Sequence, residues 1–286
     1  MKNLTVVGKL RSSQAEVEAC GWSAISGVPI NNGIYEGMFV AYDQVPPERL
    51  PAGLVVIGTN TSQPTWIDRR VLVVTTRDER ILNSAAMHRV TPTAEFVIGQ
   101  IMFLHRQLSL AACKSWGDRE EFVAPAMLSR MSMLLIGFGR IGYKVAQVAE
   151  RLFGSLQITD KETEKFLGNN LPSADVVVMT AHTDRCILTA ELLDLLKPSA
   201  LLVSISPPCA INTEKALGML LTDRLRGLAL DCHDLRWNTA MELGTQLIQK
   251  VVEGRLLLTP HMAGSTEDAR RETEQMVLRE MARRIA

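Results

Sequence analysis

The chain has 286 residues, 47% hydrophobic and 22% charged, and its 31 basic and 31 acidic side chains leave a formal net charge of zero. That length supports two cores rather than one, and the neutral balance gives no basis for a nucleic-acid or anionic-lipid partner. No run of eighteen or more apolar residues occurs, so no membrane association is expected. The apolar part of MKNLTVVGKL is too short for a signal sequence, and the expected location is cytoplasmic. The five cysteines, Cys20, Cys113, Cys186, Cys209 and Cys232, are odd in number and lack Cys-x-x-Cys spacing. This argues against a disulfide framework and a structural zinc site, and no metal is expected.

Residues 1–76 alternate short apolar runs with helical or irregular segments. Leu4–Val7, Met38–Ala41, Leu54–Ile57 and Val71–Thr75 read as strands and Glu16–Ser23 as a helix, which implies a small open parallel sheet. The polar loop GTNTSQPTW lies before the last of these strands. Thr91 then fits an N-cap with Pro92 in the first helical position. Phe96, Val97, Ile101, Leu104 and Leu108 give the following helix one apolar face, and it is expected to bridge into a second domain.

The most informative stretch comes next. An apolar run, Met133–Ile136, stops at Gly137-Phe138-Gly139-Arg140-Ile141-Gly142, an apolar-periodic segment covers Val145–Phe153, and a second short run ends in Asp160. This reads as strand, tight turn, helix, strand. Gly137 lets the chain turn sharply, Gly139 lets a pyrophosphate approach the backbone, and Gly142 lets the helix pack close to the strand. The helix N-terminus then faces the phosphates with unpaired N–H groups and a positive dipole end. Asp160 lies 23 residues after Gly137, where a carboxylate can accept hydrogen bonds from a ribose diol. That favours NAD over NADP, whose 2′-phosphate would meet a like charge, although Lys161 is a neighbouring cation.

Alternation of strands and helices continues. Asp175–Thr180, Ala200–Ile205, Leu228–Asp231 and Leu256–Thr259 read as strands, with helices at Ala190–Leu196 and Thr213–Leu221. Near-continuous apolar strands are what a parallel sheet covered on both faces requires. Beyond Ser265 a charged amphipathic helix turns Met276, Val277, Leu278 and Met281 inward and is expected to return to the first domain.

Thr93-Ala94-Glu95, the Gly137–Gly142 turn, Asp160, Ala174-Asp175-Val176-Val177, Leu230-Asp231 and Leu258-Thr259-Pro260-His261-Met262-Ala263-Gly264 together resemble the D-2-hydroxyacid dehydrogenase family. The resemblance covers nearly the whole chain. It implies an α/β fold of two Rossmann-like domains with doubly wound parallel sheets and a cleft between them. Residues 1–92 plus 266–286 would form a flavodoxin-like substrate domain, and residues 93–265 the NAD-binding domain. The implied cofactor-binding set is Gly137, Gly139, Arg140, Ile141, Gly142, Asp160, Thr180, Ser206, Pro207, Asp231, His261 and Gly264, with Asp231 toward the nicotinamide amide. The family habit of pairing through its nucleotide domain implies a homodimer.

In that family a hydride passes between the nicotinamide and the carbon of a 2-hydroxy or 2-keto acid. A histidine exchanges the proton, a glutamate pairs with it, and an arginine binds the substrate carboxylate. His261 matches the histidine, either as proton carrier or as a remnant capping the strand end. Spacing puts Pro208 at the arginine's place, inside Ser206-Pro207-Pro208-Cys209, and Arg236 at the glutamate's place. The glycines of the family's carboxylate-binding loop fall at Thr61 and Gln63. Because a buried anion without a partner costs several kcal/mol, a simple 2-keto acid is disfavoured as substrate unless Arg236, or Arg77 in second place, supplies the cation. Thr61, Ser62, Gln63 and Arg77 are the candidate substrate contacts.

Other residues have plainer readings. Cys209 and Cys232 read as buried thiols, rather than as a nucleophile or zinc site with His233 or His261. His182 lines the cofactor entrance. Thr239–Glu253 has helical periodicity that would reshape the substrate pocket or serve a second subunit. The leading expectation is an NAD-dependent oxidoreductase acting on a small hydroxy or keto compound, with His261 as proton carrier and Arg236 as substrate clamp. A redox-silent NAD-binding regulatory or scaffold protein, and an NAD-containing lyase or cyclase, stand as alternatives.

Overall fold

The computed structural model describes residues 2–7, 12–26, 37–40, 56–59, 72–75, 79–115, 125–231 and 244–285. The chain divides into two compact units, Met1–Arg89 with Ser265–Ala286, and Val90–Gly264. In the first, β1 (Lys2–Val7), β2 (Trp22–Ser26), β3 (Gly37–Val40), β4 (Val56–Thr59) and β5 (Leu72–Thr75) form one parallel sheet in the order β2-β1-β3-β4-β5. That order reverses direction beside β1, as in flavodoxin-like sheets.

Helix α1 (Gln14–Ala19) corrects the expectation of a helix over Glu16–Ser23. Ser13 and Glu16 cap its start reciprocally: Ser13 Oγ accepts from Glu16 N–H at 3.4 Å and Glu16 Oε2 from Ser13 N–H at 2.7 Å. Gly21, at φ 92°, turns the chain just past its end, and Trp22 opens a strand.

A second correction concerns α2, which runs Glu79–His105 with Pro92 inside it, so Thr91 is not its N-cap. One proline removes one N–H from the ladder and crowds one carbonyl. The surrounding helix tolerates this because Val97, Ile101 and Leu104 beyond it are fully buried. The apolar stripe ends at Leu104: Leu108 is 47% exposed and begins a separate short helix, α3 (Leu108–Ala112).

The second unit threads β6 (Ser132–Ile136), α4 (Arg140–Leu152), β7 (Ser155–Thr159), α5 (Leu167–Asn170), β8 (Val176–Met179), α6 (Ala190–Leu193), β9 (Leu201–Ser204), α7 (Thr213–Leu221), β10 (Gly227–Asp231), α8 (Thr245–Val252) and β11 (Leu256–Thr259). Its six strands are parallel, in the order β11-β10-β9-β8-β6-β7. Successive strand residues point to opposite faces, and they sort cleanly. Leu134, Ile136, Val177, Met179, Leu202, Leu228 and Leu230 join one core with Leu193 of α6 and Ala216, Leu217 and Leu220 of α7. Met133, Leu135, Val176, Val178, Leu201, Val203 and Ala229 join the other with Val97, Ile101 and Leu104 of α2 and Val145, Ala146 and Ala149 of α4. A sheet covered on both faces explains why β8, β9 and β10 are apolar without alternation. Each such side chain contributes about 1.5–3 kcal/mol on burial, against about 0–1 kcal/mol for half-exposed ion pairs such as Lys215–Asp194. The two apolar layers therefore hold the unit together.

Helix α9 (Glu267–Arg284) packs into the first unit, with Val277, Leu278 and Met281 buried beside Leu4, Trp22 and Phe39. The Trp22 indole N–H donates to Leu278 O at 2.8 Å, and Ser12 N–H to Glu274 Oε1 at 2.8 Å. Near the helix end, Glu280 is 8% exposed and accepts hydrogen bonds from Arg283 and Arg284. The two Arg283 bonds and the one from Arg284 outweigh burial and bring its carboxyl down to about 2 from the ordinary 4.5.

Because the folded-state value is depressed, Glu280 adds stability that is complete above about 4.5 and is lost as pH falls through about 2. Glu280→Gln is expected to lower the unfolding temperature near neutrality and to flatten its decline across that acid window. Thermal melts of both proteins against pH check this, and parallel declines would refute it.

Candidate active site

All the parallel strands of the second unit end on one edge of its sheet, and the expected cofactor residues lie on the segments leaving that edge. The order reverses beside β6, with β7 on one side and β8 on the other. Such a switch point leaves a crevice at the carboxyl ends of the strands, and the glycine turn follows β6 directly.

That turn has little freedom. Gly137 has φ 99°, its N–H donates to Thr159 O at 2.7 Å, and a Cβ on it would lie 2.5 Å from Ala181 N. A Cβ on Gly142 would stand 2.1 Å from Gly137 O. Thr180 closes the arrangement, its N–H donating to Ile136 O at 2.9 Å and its hydroxyl to Gly137 O at 2.8 Å. Gly139 differs: it is the N-cap of α4, makes no side-chain cap, and a Cβ on it would meet nothing within 4 Å. The space above Gly139 and the uncapped N–H groups of a thirteen-residue helix form a cradle suited to a pyrophosphate. Arg140 and Ile141 are the first two residues of that helix.

Asp160 follows β7. Its Oδ1 accepts from Thr163 Oγ1 (2.8 Å), Glu162 N–H (3.0 Å) and Thr163 N–H (3.1 Å), and its own N–H donates to Thr163 Oγ1 (2.9 Å). The bonds from Thr163, side chain first, lower its pKa and keep it an anion. Oδ2 lies outside this set, where a ribose diol would be bound. Two hydroxyls at the same edge, Thr159 Oγ1 and Ser206 Oγ, are buried and have no partner among the described residues. Buried orphan hydroxyls are uncommon, and a polar ligand at this edge would satisfy them. The donors, the open glycine and the anion together fit a dinucleotide.

The other end of the sheet holds the histidine. Asp231, at the end of β10, is 4% exposed, and its register partner on β11 is Thr259. Its Oδ1 accepts from Thr259 Oγ1 (2.8 Å) and Met262 N–H (2.9 Å), and its Oδ2 from Ala263 N–H (2.9 Å). His261 sits inside this turn, exposed, at φ 51°. A left-handed non-glycine residue costs about 1–3 kcal/mol, and three hydrogen bonds to a carboxylate at about 1.5–3 kcal/mol each outweigh it. Asp231 thus positions His261, with both oxygens already engaged by the turn. Gly264 ends the unit two residues beyond Met262.

After β9, Ser206 N–H donates to Ser204 Oγ at 3.2 Å, and Pro207 leads into a tight turn at Pro208–Ala210 that carries no cation. Cys209 is exposed there, which corrects its expected burial, and His182 is exposed. Arg236, Arg77, Thr61, Ser62, Gln63, Cys232 and His233 lie outside the described residues. Among the described residues no cluster of His, Cys, Asp and Glu could hold a metal ion. Sequence reasoning missed Thr163, Thr259 and Ala181. The spacing Asp160-x-x-Thr163 is a recognisable side-chain-to-backbone turn signal, whereas nothing in the sequence marks Ala181 as the residue pressed against Gly137.

Forcing a methyl group into a filled space costs about 1–3 kcal/mol, so Gly142→Ala and Gly137→Ala should lower the unfolding temperature by several degrees. Gly139→Ala should leave it unchanged within about 0.5 kcal/mol. Thermal unfolding of the three variants tests the geometry, and equal losses in all three would contradict it.

The family model for the D-isomer specific 2-hydroxyacid dehydrogenase NAD-binding domain matches residues 98–263. D-3-phosphoglycerate dehydrogenase of Escherichia coli (strain K12) is 28% identical over 200 residues, covering 65% of this chain and 48% of the relative. Glyoxylate reductase of Pyrococcus furiosus is 24% identical over 261 residues, covering 84% of this chain and 74% of the relative. The chain thus spans about half the length of the first curated relatives it matches. A solved D-isomer specific 2-hydroxyacid dehydrogenase from Lactobacillus delbrueckii ssp. bulgaricus, in its NAD-complexed form, shares the fold with a TM-score of 0.69 at 17% identity, over 99% of this chain and 97% of that one. With the model matching more than half of its residues, the chain belongs to the D-isomer-specific 2-hydroxyacid dehydrogenase family.

Proposed function

We propose that the protein is an NAD-dependent oxidoreductase that interconverts a small hydroxy compound and the corresponding carbonyl compound, with His261 as the proton carrier. The observation that carries this reading is the Asp231 carboxylate gripping the Thr259–Ala263 turn by three hydrogen bonds and holding exposed His261 in a left-handed conformation. Residues held in sparsely populated backbone conformations by their surroundings cluster at active sites and ligand clamps.

NAD, when bound, supplies or accepts the hydride. The N-terminus of α4 would hold the pyrophosphate, Asp160 the ribose diol, and the orphan hydroxyls of Thr159 and Ser206 other polar groups of the dinucleotide. In the reducing direction His261 gives its proton to the reactant oxygen as negative charge builds there, and in the oxidising direction it takes that proton back. We assign residues 1–92 with 266–286 to the reactant and 93–265 to the cofactor, with Thr61, Ser62, Gln63 and Arg77 as reactant contacts. The segment Ser206–Cys209 offers no cation, so a reactant carboxylate would depend on Arg236 or Arg77. This favours a hydroxy or keto compound other than a simple 2-hydroxy acid. Four free cysteines among the described residues fit a cytoplasmic setting, and Ile248, Val251 and Val252, exposed on α8, offer apolar surface for a homodimer.

Purified protein with NADH and a panel of carbonyl compounds should consume NADH with at least one of them. His261→Asn should lower kcat by roughly a hundredfold or more while NADH affinity holds. A panel without turnover, or full activity in that variant, would sink the proposal. Asp160→Ala should reduce the preference for NADH over NADPH by roughly tenfold, and an unchanged ratio of affinities would remove Asp160 from the site.

A further inference from the structure

Cys186 and Cys209 lie on the segments that follow two neighbouring strands, β8 and β9. A parallel bridge pairs Leu188 with Ile211. Around it, Ala210 O accepts from the N–H groups of Ile187 (2.9 Å) and Leu188 (3.1 Å), and Leu188 O accepts from Asn212 N–H (2.9 Å). The 2.9 Å bond joins Ile187 and Ala210, the residues that directly follow the two cysteines, so Cys186 and Cys209 stand on adjoining segments, Cys209 within the Pro208–Ala210 turn.

The sulfurs lie along the same junction. Cys209 Sγ reaches across to the other segment, where it donates to Thr183 O at 3.4 Å, three residues before Cys186. Cys186 Sγ donates to Leu188 O, the bridge residue itself, at 3.3 Å. Burial, and after it the negative charge of a Cys209 thiolate, push the Cys186 thiol up. Both cysteines are exposed to an oxidant in solution.

We propose that Cys186 and Cys209 form a reversible intramolecular disulfide that ties the segment after β8 to the segment after β9 and weakens cofactor binding. The oxidant is a low-molecular-weight disulfide, RSSR. One cysteine loses its proton to solvent and attacks a sulfur of RSSR, expelling RS⁻. The second cysteine, also deprotonated, attacks the protein sulfur of the mixed disulfide and expels the other RS⁻. Both thiolates regain protons, so two protein thiols are oxidised to one disulfide and RSSR is reduced to two RSH. The link reaches the cofactor because Thr180 and Ala181, which close the glycine turn, precede Cys186 on its segment, and Ser206 precedes Cys209 on the other.

The test uses the full chain, reduced and then incubated with glutathione disulfide. Thiols are counted, a non-reducing peptide map is read by mass spectrometry, and NADH affinity is measured by fluorescence. The expected result is a Cys186–Cys209 cross-linked peptide, removed by dithiothreitol, with NADH bound roughly tenfold more weakly in the oxidised protein. Cys186→Ser and Cys209→Ser should each keep a glutathione adduct on the remaining cysteine and show no such cross-link. Separate adducts on both cysteines of the unaltered protein, or a link from Cys209 to Cys232, would overturn the pairing. Equal NADH affinity in the two redox forms would overturn the coupling, which rests on the proposed dinucleotide site. The peptide map needs no cofactor, so the pairing is judged independently of the dehydrogenase assignment.

Discussion

One close approach sets the geometry of the cofactor edge: the α-carbon of Gly142 against the carbonyl of Gly137, with the Thr180 hydroxyl donating to the same oxygen. The first turn of α4 can lie against the end of β6 only because no side chain intervenes. That contact aims the uncapped N–H groups of the helix at the space above Gly139. An anion there meets several oriented dipoles whose reorganisation was completed during folding. The two apolar layers of the sheet hold this contact in place, since Ile136 packs in one and Val145, one turn into α4, in the other.

Asp231 does for the histidine what Thr180 does for the glycine turn. Each is a polar side chain at a strand end that bonds a neighbouring segment, and each fixes a conformation the chain would otherwise avoid. The cofactor edge and the histidine turn are built from separate strands of one sheet. A substitution in one of them can therefore leave the geometry of the other intact.

Much of this was legible in the sequence because steric rules are local. Three glycines, an apolar run before them, a periodic segment after them and an acid at the next strand end admit few arrangements. The strands β8, β9 and β10 were equally plain, since burial on both faces removes any polar alternation. Reading failed where neighbours rather than local pattern decided the outcome. Trp22 fell inside a helical window, although its indole is committed to Leu278 O on a helix 256 positions away. Pro92 looks like a first helical residue, yet packing beyond it carries α2 through. The roles of Thr259 and Ala181 depend on which strands become neighbours, and no local pattern records that.

The first unit is discontinuous, and this has a consequence for the order in which the protein matures. Leu4, Trp22 and Phe39 share their core with Val277, Leu278 and Met281. A ribosome releases the N-terminal strands long before α9, while the second unit, continuous from Val90 to Gly264, has its whole length available earlier. The N-terminal sheet must therefore wait with part of its apolar face uncovered until synthesis reaches the last helix. During that interval it is the segment most in need of a chaperone.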